Sequence, residues 1–179
     1  MVELDTMLSL LQTASIIIGV FYYIMTLQNS NKTQQLNLKA QQQSAETRQA
    51  QLFMNMYEKM SSPEFSKHWY IIRLWEFTDY DDFMEKYGDK KNPDLYLSFS
   101  TVGKYFEGIG ILVKRGLIDV SLVDDLMSGY VLNFWEQFGE SFIKDLRVRQ
   151  PFPAAYEWVE YLYNEVSAIA HKQHPELKT

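Results

Sequence analysis

The sequence predicts an all-α protein: an N-terminal transmembrane helix that continues into a helical stalk, followed by a compact domain of five to seven helices. Three observations carry this expectation. Residues Thr6 to Asn31 contain no charged side chain. The run from there to Met60 contains neither glycine nor proline. From Leu52 onward apolar residues recur at helical spacing between proline- and glycine-marked stops, and no stretch alternates cleanly with period two. The expected boundaries are 6–31 for the membrane helix, 32–51 for the stalk and 52–179 for the domain.

A bilayer core of about 30 Å is spanned by about 20 mostly apolar helical residues. Met7 to Leu27 supplies 21, including Ile16-Ile17-Ile18-Gly19-Val20-Phe21. Tyr22 and Tyr23 fall near the C-terminal end, where amphipathic rings favour the headgroup layer. A cleaved signal peptide needs a basic start and small residues at a cleavage site, whereas this N-terminus carries Glu3 and Asp5. A soluble core helix is the stronger rival, because Ser9, Gln12, Thr13 and Ser15 dilute the apolar run. Lys32, Lys39 and Arg48 lie beyond the span and only acids precede it, so the positive-inside rule predicts a single-pass protein of the cell membrane with its C-terminal domain cytoplasmic.

Within the span, Gln12, Ser15, Gly19, Tyr22 and Thr26 share one stripe at spacings of three and four. Polar groups facing lipid are costly and Ser15-xxx-Gly19 permits close backbone approach, so this stripe is a candidate seam for a homo-oligomer. From Gln28 to Gln51 a disordered Gln-rich linker competes with a helix. Helix is favoured because Gln, Leu, Lys, Ala, Glu and Arg form helices well and both flanks are helical. Its 24 residues would extend about 36 Å.

In the domain, Ser62-Pro63-Glu64 reads as N-cap, first-turn proline and first-turn acid, opening a helix that runs to about Phe77. Thr78 to Gly88 reads as a short helix or turn with an acidic start. Asn92-Pro93-Asp94 repeats the cap pattern and opens the longest helix of the domain, which Lys114-Arg115-Gly116 closes. Ser121 with Asp124 resembles a capping box for a helix from Leu122 to about Phe138. Gly139 is a kink candidate before Glu140 to Gln150, and Pro153 suits the start of a last helix with Ala155, Val159, Leu162, Val166 and Ile169 on one face.

Composition narrows the function classes. Hydrophobic residues make up 46% and aromatic residues 15%, far from a disordered composition, so the domain has a core. Net charge is −6, and the first 51 residues balance three cations against three acids, so the surplus belongs to the domain and argues against a nucleic-acid partner. The chain has no cysteine, which removes thiol catalysis and any disulfide framework.

Chemistry-bearing groups are sparse. His171 and His174 stand three apart but lack a third ligand, and read as surface histidines. His68 reads as a packed histidine rather than a base. Gly108 and Gly110, with Gly103, lack the preceding strand of a phosphate loop and fit close helix crossing. The acids Asp79, Asp81, Asp82, Asp124 and Asp125 sit at helix starts, where carboxylates favour the positive end of the dipole. No catalytic residue, cofactor site or metal site is assigned. Lys144, Arg147 and Arg149, among Trp135, Phe138, Phe142 and Phe152, form a candidate site for an anion or an acidic partner, with pairing of Arg147 to Glu157 or Glu160 as the competing expectation.

Through Phe134-Trp135-Glu136, Phe142, Ile143, Arg147, Pro153, Tyr156, Glu157, Tyr161 and Leu162, the chain resembles uncharacterised prokaryotic domain-of-unknown-function proteins with one N-terminal membrane helix and a small helical cytosolic domain. The resemblance implies no activity. The layout is also similar to membrane-anchored accessory proteins of RNA-guided antiviral defence, some with helical ribonuclease domains. Their signature, an arginine followed four to six residues later by a histidine, is met by no arginine here. The expected function is therefore a non-enzymatic, membrane-anchored helical interaction, scaffold or sensor protein in contact with membrane lipid and an unknown protein partner. The alternative is an oligomeric membrane effector or pore in antiviral defence. A hydrolase or nuclease with an unrecognised site is the third reading.

Overall fold

In the computed structural model, which describes residues 2–173, the apolar stretch and the Gln-rich run form one uninterrupted helix, α1, Val2–Met60. The expectation for His174 lies outside the described residues. Contacts divide the chain into two units, Met1–Arg48 and Gln49–Thr179. In the first, every described side chain from Glu3 to Arg48 is exposed. The hydroxyls of Thr13, Ser15 and Thr26 each donate to the carbonyl four residues earlier, at 2.8 Å, and so find partners inside the helix. Gln42 donates to Glu46 across one turn at 3.1 Å. With no breaker to interrupt it, the Gln-rich run is helix rather than linker.

The second unit takes in the last turns of α1, where Phe53 and Met60 are buried. Tyr105 donates its hydroxyl to the Met56 carbonyl, and burial pushes that phenol up to about 12. Helix α2, Pro63–Arg73, starts as the sequence predicts: the Phe65 amide donates to Ser62 Oγ at 3.2 Å, with Pro63 in the first turn. It ends four residues before the expected Phe77. The chain leaves the helix at Leu74 so that Trp75 enters the core, stacked on Tyr87 at 4.1 Å, and Phe77 stacks on Phe138 at 5.6 Å. Gln137 takes two of the carbonyls left at that end, Ile72 at 3.1 Å and Trp75 at 3.0 Å.

Helix α3, Tyr80–Tyr87, is capped from both directions. The Asp82 amide donates to Asp79 Oδ1 and the Thr78 amide to Asp82 Oδ2, both at 3.0 Å. The bond from Lys86 Nζ, at 2.9 Å, is the main reason the Asp82 carboxyl sits below the usual range. Asp79 and Asp82 thus serve the helix start. Helix α4, Pro93–Lys114, follows Asn92, whose side chain does not cap it but donates to the Lys86 carbonyl at 2.6 Å, tying α3 to the start of α4. Its end is a Schellman turn: Gly116 at φ 65, Leu117 donating to Leu112 and Gly116 to Val113, both at 2.9 Å.

Helix α5, Val120–Phe138, starts two residues before the expected Leu122. Asp119 is the N-cap, and it accepts both the amide (2.9 Å) and the hydroxyl (2.8 Å) of Ser121. Ser121 lies within the first turn, not at the cap. After α5 the chain makes one π-helical turn, Gly139–Ile143, and resumes as α6, Lys144–Arg149. Gly139 is required there, since a Cβ would stand 2.6 Å from the Trp135 ring. The wider turn replaces the expected kink and advances the register, with Phe142 and Ile143 in the core. Helix α7, Glu157–Gln173, begins four residues after Pro153, which is the second correction to a helix start. Turns fill Pro153 to Tyr156, and Tyr156 has φ 56, a left-handed conformation that its ring, packed over Gly103, holds in place.

Among the described residues, the second unit thus has six helices after α1 and no strand. Helix α7 packs on α4 and α5, and α2 packs on α4. At their centre Phe99, fully buried, meets Phe83, Phe134, Phe138, Phe142 and Tyr156, with centroids 5.1 to 5.7 Å apart. Val159, Leu162 and Val166 bury the predicted face of α7.

Candidate functional site

Sequence reasoning pointed to Lys144, Arg147 and Arg149, and the structure gives each a carboxylate on a different element. Lys144 pairs with Glu140 in the π turn. Arg149 pairs with Asp81 of α3 at 2.7 Å, lies 4.7 Å from the Tyr80 ring centroid, and has Asp145 at 3.8 Å. Arg147 is the most buried, its side chain 17% exposed. It pairs with Glu160 of α7, donates Nε to the Ala155 carbonyl at 2.7 Å, and lies 5.8 Å from the Trp135 ring centroid. Pairing with Glu160, the competing expectation, is what the fold provides.

Arg147 stands beside a group that the sequence did not single out. Glu107, half-buried on α4, accepts through Oε2 from the amides of Trp158 (3.1 Å) and Val159 (2.9 Å), the free donors at the start of α7. A signal existed. Ala154, Ala155 and Tyr156 offer no side-chain cap, so α7 had to find an acceptor elsewhere in the chain. Burial raises the Glu107 carboxyl above its ordinary value, against the two amides and Arg147, which lower it. The approach of α7 to α4 depends on missing side chains. A Cβ on Gly103 would stand 2.5 Å from the Tyr156 ring, and one on Gly110 would overlap the Trp158 carbonyl, 2.7 Å from its carbon. Gly103 and Gly110 therefore serve the close crossing expected of them, while Gly108 has open space around it.

Outside this clamp, Lys104 and Glu107 of α4 and the segment Pro151 to Tyr156 line an open, largely apolar groove of about 510 Å3. Phe152 at its edge is 65% exposed. The groove offers apolar surface, the Glu107 side chain and one exposed lysine. His68 is occupied elsewhere, its Nδ1 3.0 Å from the hydroxyl of Ser98, which is buried at 2% exposure and also reaches the Asp94 carbonyl at 3.3 Å. His171 is exposed on α7, with Nδ1 at 2.6 Å from the Ser167 carbonyl. Among the described residues no three His, Asp or Glu side chains are placed to hold a metal.

The stripe Gln12, Ser15, Gly19, Tyr22 and Thr26 is exposed along α1. Two of its hydroxyls, on Ser15 and Thr26, return to the helix backbone, and Gly19 has open space where a Cβ would stand.

The Glu107 bridge yields a pair of expected outcomes. Glu107→Ala leaves two α7 amides without their acceptor and should lower stability by about 1–3 kcal/mol. Glu107→Gln keeps an oxygen acceptor and removes the buried charge. An acid raised in the folded state binds more protons there than in the unfolded chain, so its contribution is most favourable at low pH. That contribution declines as pH climbs from the unfolded value, about 4.3, through the raised one. Urea unfolding across this window should show a decline in the native chain that Glu107→Gln flattens; an unchanged slope would mean the carboxylate is solvated.

No curated protein and no solved structure matches the chain. A family model does, over residues 9–166, and it takes in most of the apolar stretch, the Gln-rich run and the helices as far as the buried face of α7. That match takes in both the long helix and the Glu107 and Arg147 contacts to the last helix and its approach, and the chain belongs to the family described as a domain of unknown function (DUF4760).

Proposed function

We propose that this chain is a single-pass protein of the cell membrane whose second unit is a cytoplasmic, non-enzymatic interaction, scaffold or sensor module. The observation that carries the reading is the exposure of the apolar part of α1. Leu8, Leu11, Ile16, Ile17, Ile18, Val20, Phe21 and Ile24 are all between 45% and 68% exposed, and they point to every side of the helix. A predominantly apolar helix exposed along its length needs an apolar medium, and every described side chain from Glu3 to Arg48 is exposed. Among the described residues, α1 is the one helix long and apolar enough to cross a bilayer. The family match, beginning at Ser9, supports treating this segment as part of the functional protein.

Orientation rests on Lys32, Lys39 and Arg48 following the apolar stretch and on Glu3 and Asp5 preceding it. The non-enzymatic reading rests on the commitment of Arg147, Arg149, Glu107 and His68 to contacts between elements of the fold, and of Asp82 to the start of α3. The back-bonded hydroxyls of Ser15 and Thr26 remove part of the incentive for a polar seam, which favours the tethered module over the oligomeric pore.

The test is partition and topology in one expression strain. The full chain should stay in the membrane pellet through alkaline carbonate and leave it in detergent. A reporter fused after Thr179 should be active only in the cytoplasm. Release by carbonate would overturn the anchor, and activity on the far side would overturn the orientation.

A further inference from the structure

Helices α2 and α5 leave an open cleft of about 370 Å3, lined by Trp69 and Arg73 from the first and by Gly129, Tyr130 and Asn133 from the second. The Trp69 and Tyr130 rings meet at 5.0 Å between centroids, and Trp69, 8% exposed, is fixed edge-on against Phe106 at 6.4 Å. The cleft is therefore bounded by two aromatic groups, of which Trp69 is anchored in the core. Gly129 has open space where a Cβ would stand, which leaves room for an incoming side chain. The same two helices leave large apolar groups to solvent, Tyr70 at 64% on α2 and Leu126 at 46% on α5, as does Leu74 at 73% just past the end of α2.

Arg73 is the cation in the lining of this cleft. Arg147 and Arg149 each meet a carboxylate, but Arg73 lies over the Tyr70 ring, 5.9 Å from its centroid, and forms no ion pair with a described residue. The charge surplus after residue 51 is negative. An acidic segment is repelled by most of that surface and favoured where an unneutralised guanidinium stands. Tryptophan, tyrosine and arginine are also the residues on which binding energy concentrates.

We propose that this cleft docks a segment of a partner protein that presents a carboxylate beside an apolar side chain. The carboxylate pairs with Arg73, and the apolar side chain enters beside Gly129 against Trp69 and Tyr130. Because the cleft is open, it covers one or two side chains of a longer chain rather than enclosing a whole small molecule. The inference rests on the reading of the second unit as an interaction module and names the partner's chemistry.

The test uses the full chain in lipid nanodiscs and a displayed library of random peptides. Selected peptides should share an aspartate or glutamate next to a leucine or aromatic residue. Arg73→Glu should weaken them by about tenfold or more, as should the matching Glu→Gln change in the peptide. Gly129→Leu fills the cleft without altering charge. It should abolish binding while keeping or raising the melting temperature, because it replaces glycine within a helix at an open site. Selected peptides without acids, peptides indifferent to both variants, or failure of selection would overturn the proposal. So would self-association of the chain that depends on Arg73, since the occupant would then be a second copy. Carbonate extraction is read separately, so loss of the anchor and loss of the cleft give different results.

Discussion

Gly110→Val should lower the stability of the second unit by about 3 kcal/mol or more, a large share of the roughly 5–15 kcal/mol that holds a typical domain folded. The clash is with backbone: the added Cβ would overlap the Trp158 carbonyl, and the first turn of α7 cannot withdraw without breaking the amide bonds to Glu107. Gly108 supplies the control on the same helix. Nothing lies within 4 Å of its would-be Cβ, so Gly108→Ala should gain about 0.5–1 kcal/mol from helix propensity alone. Denaturant melts followed by near-ultraviolet circular dichroism, which reads the packed tryptophans and tyrosines, should separate the two by several kcal/mol. Equal effects would mean that α4 and α7 are not held at this distance.

Arg147→Ala should be the second large loss, about 3 kcal/mol, because it leaves the Glu160 carboxylate and the Ala155 carbonyl without their donor in a partly buried setting. Lys144→Ala and Arg149→Ala remove pairs on the exposed surface and should cost less than about 1 kcal/mol each. The double variant Arg147→Met with Glu160→Gln should recover much of the single loss, since it takes away both charges together. A double-mutant cycle in urea measures the coupling. If Arg147→Ala proves as mild as Lys144→Ala, the guanidinium is not structural and becomes available to a ligand.

The expectations that failed share a form. Phe77, Ser121 and Pro153 were read as helix ends from residues within four positions of them, by propensity and capping rules alone. In two of the three a group outside that window satisfied the helix end. Gln137, more than sixty positions away in sequence, takes the Ile72 carbonyl of α2 and the Trp75 carbonyl just beyond it, and Glu107, about fifty positions away, takes the α7 amides. At α5 the cap lies only two residues off, yet choosing Asp119 over Ser121 depends on which oxygen faces the free amide, a matter of backbone direction.

Local chemistry alone determined the helical class, the Ser62 and Asp79 helix starts, the Gly116 stop and the apolar length of the first segment. Each depends on the conformational preference of a few adjacent residues or on the transfer of side chains out of water, and neither requires a partner from a distant part of the chain. Tertiary structure decided the uses of the charges and glycines. Lys144, Arg147 and Arg149 look like one basic cluster because they are neighbours in sequence, but the π turn and the packing of α6 send them to Glu140, Glu160 and Asp81. Gly103, Gly108 and Gly110 look alike in sequence, but Gly103 is constrained by Tyr156 in the turn before α7 and Gly110 by Trp158 within it, while Gly108 has open space. Ion pairing and close approach act over a few ångströms between atoms far apart in the chain, so only the folded arrangement can say which residue meets which.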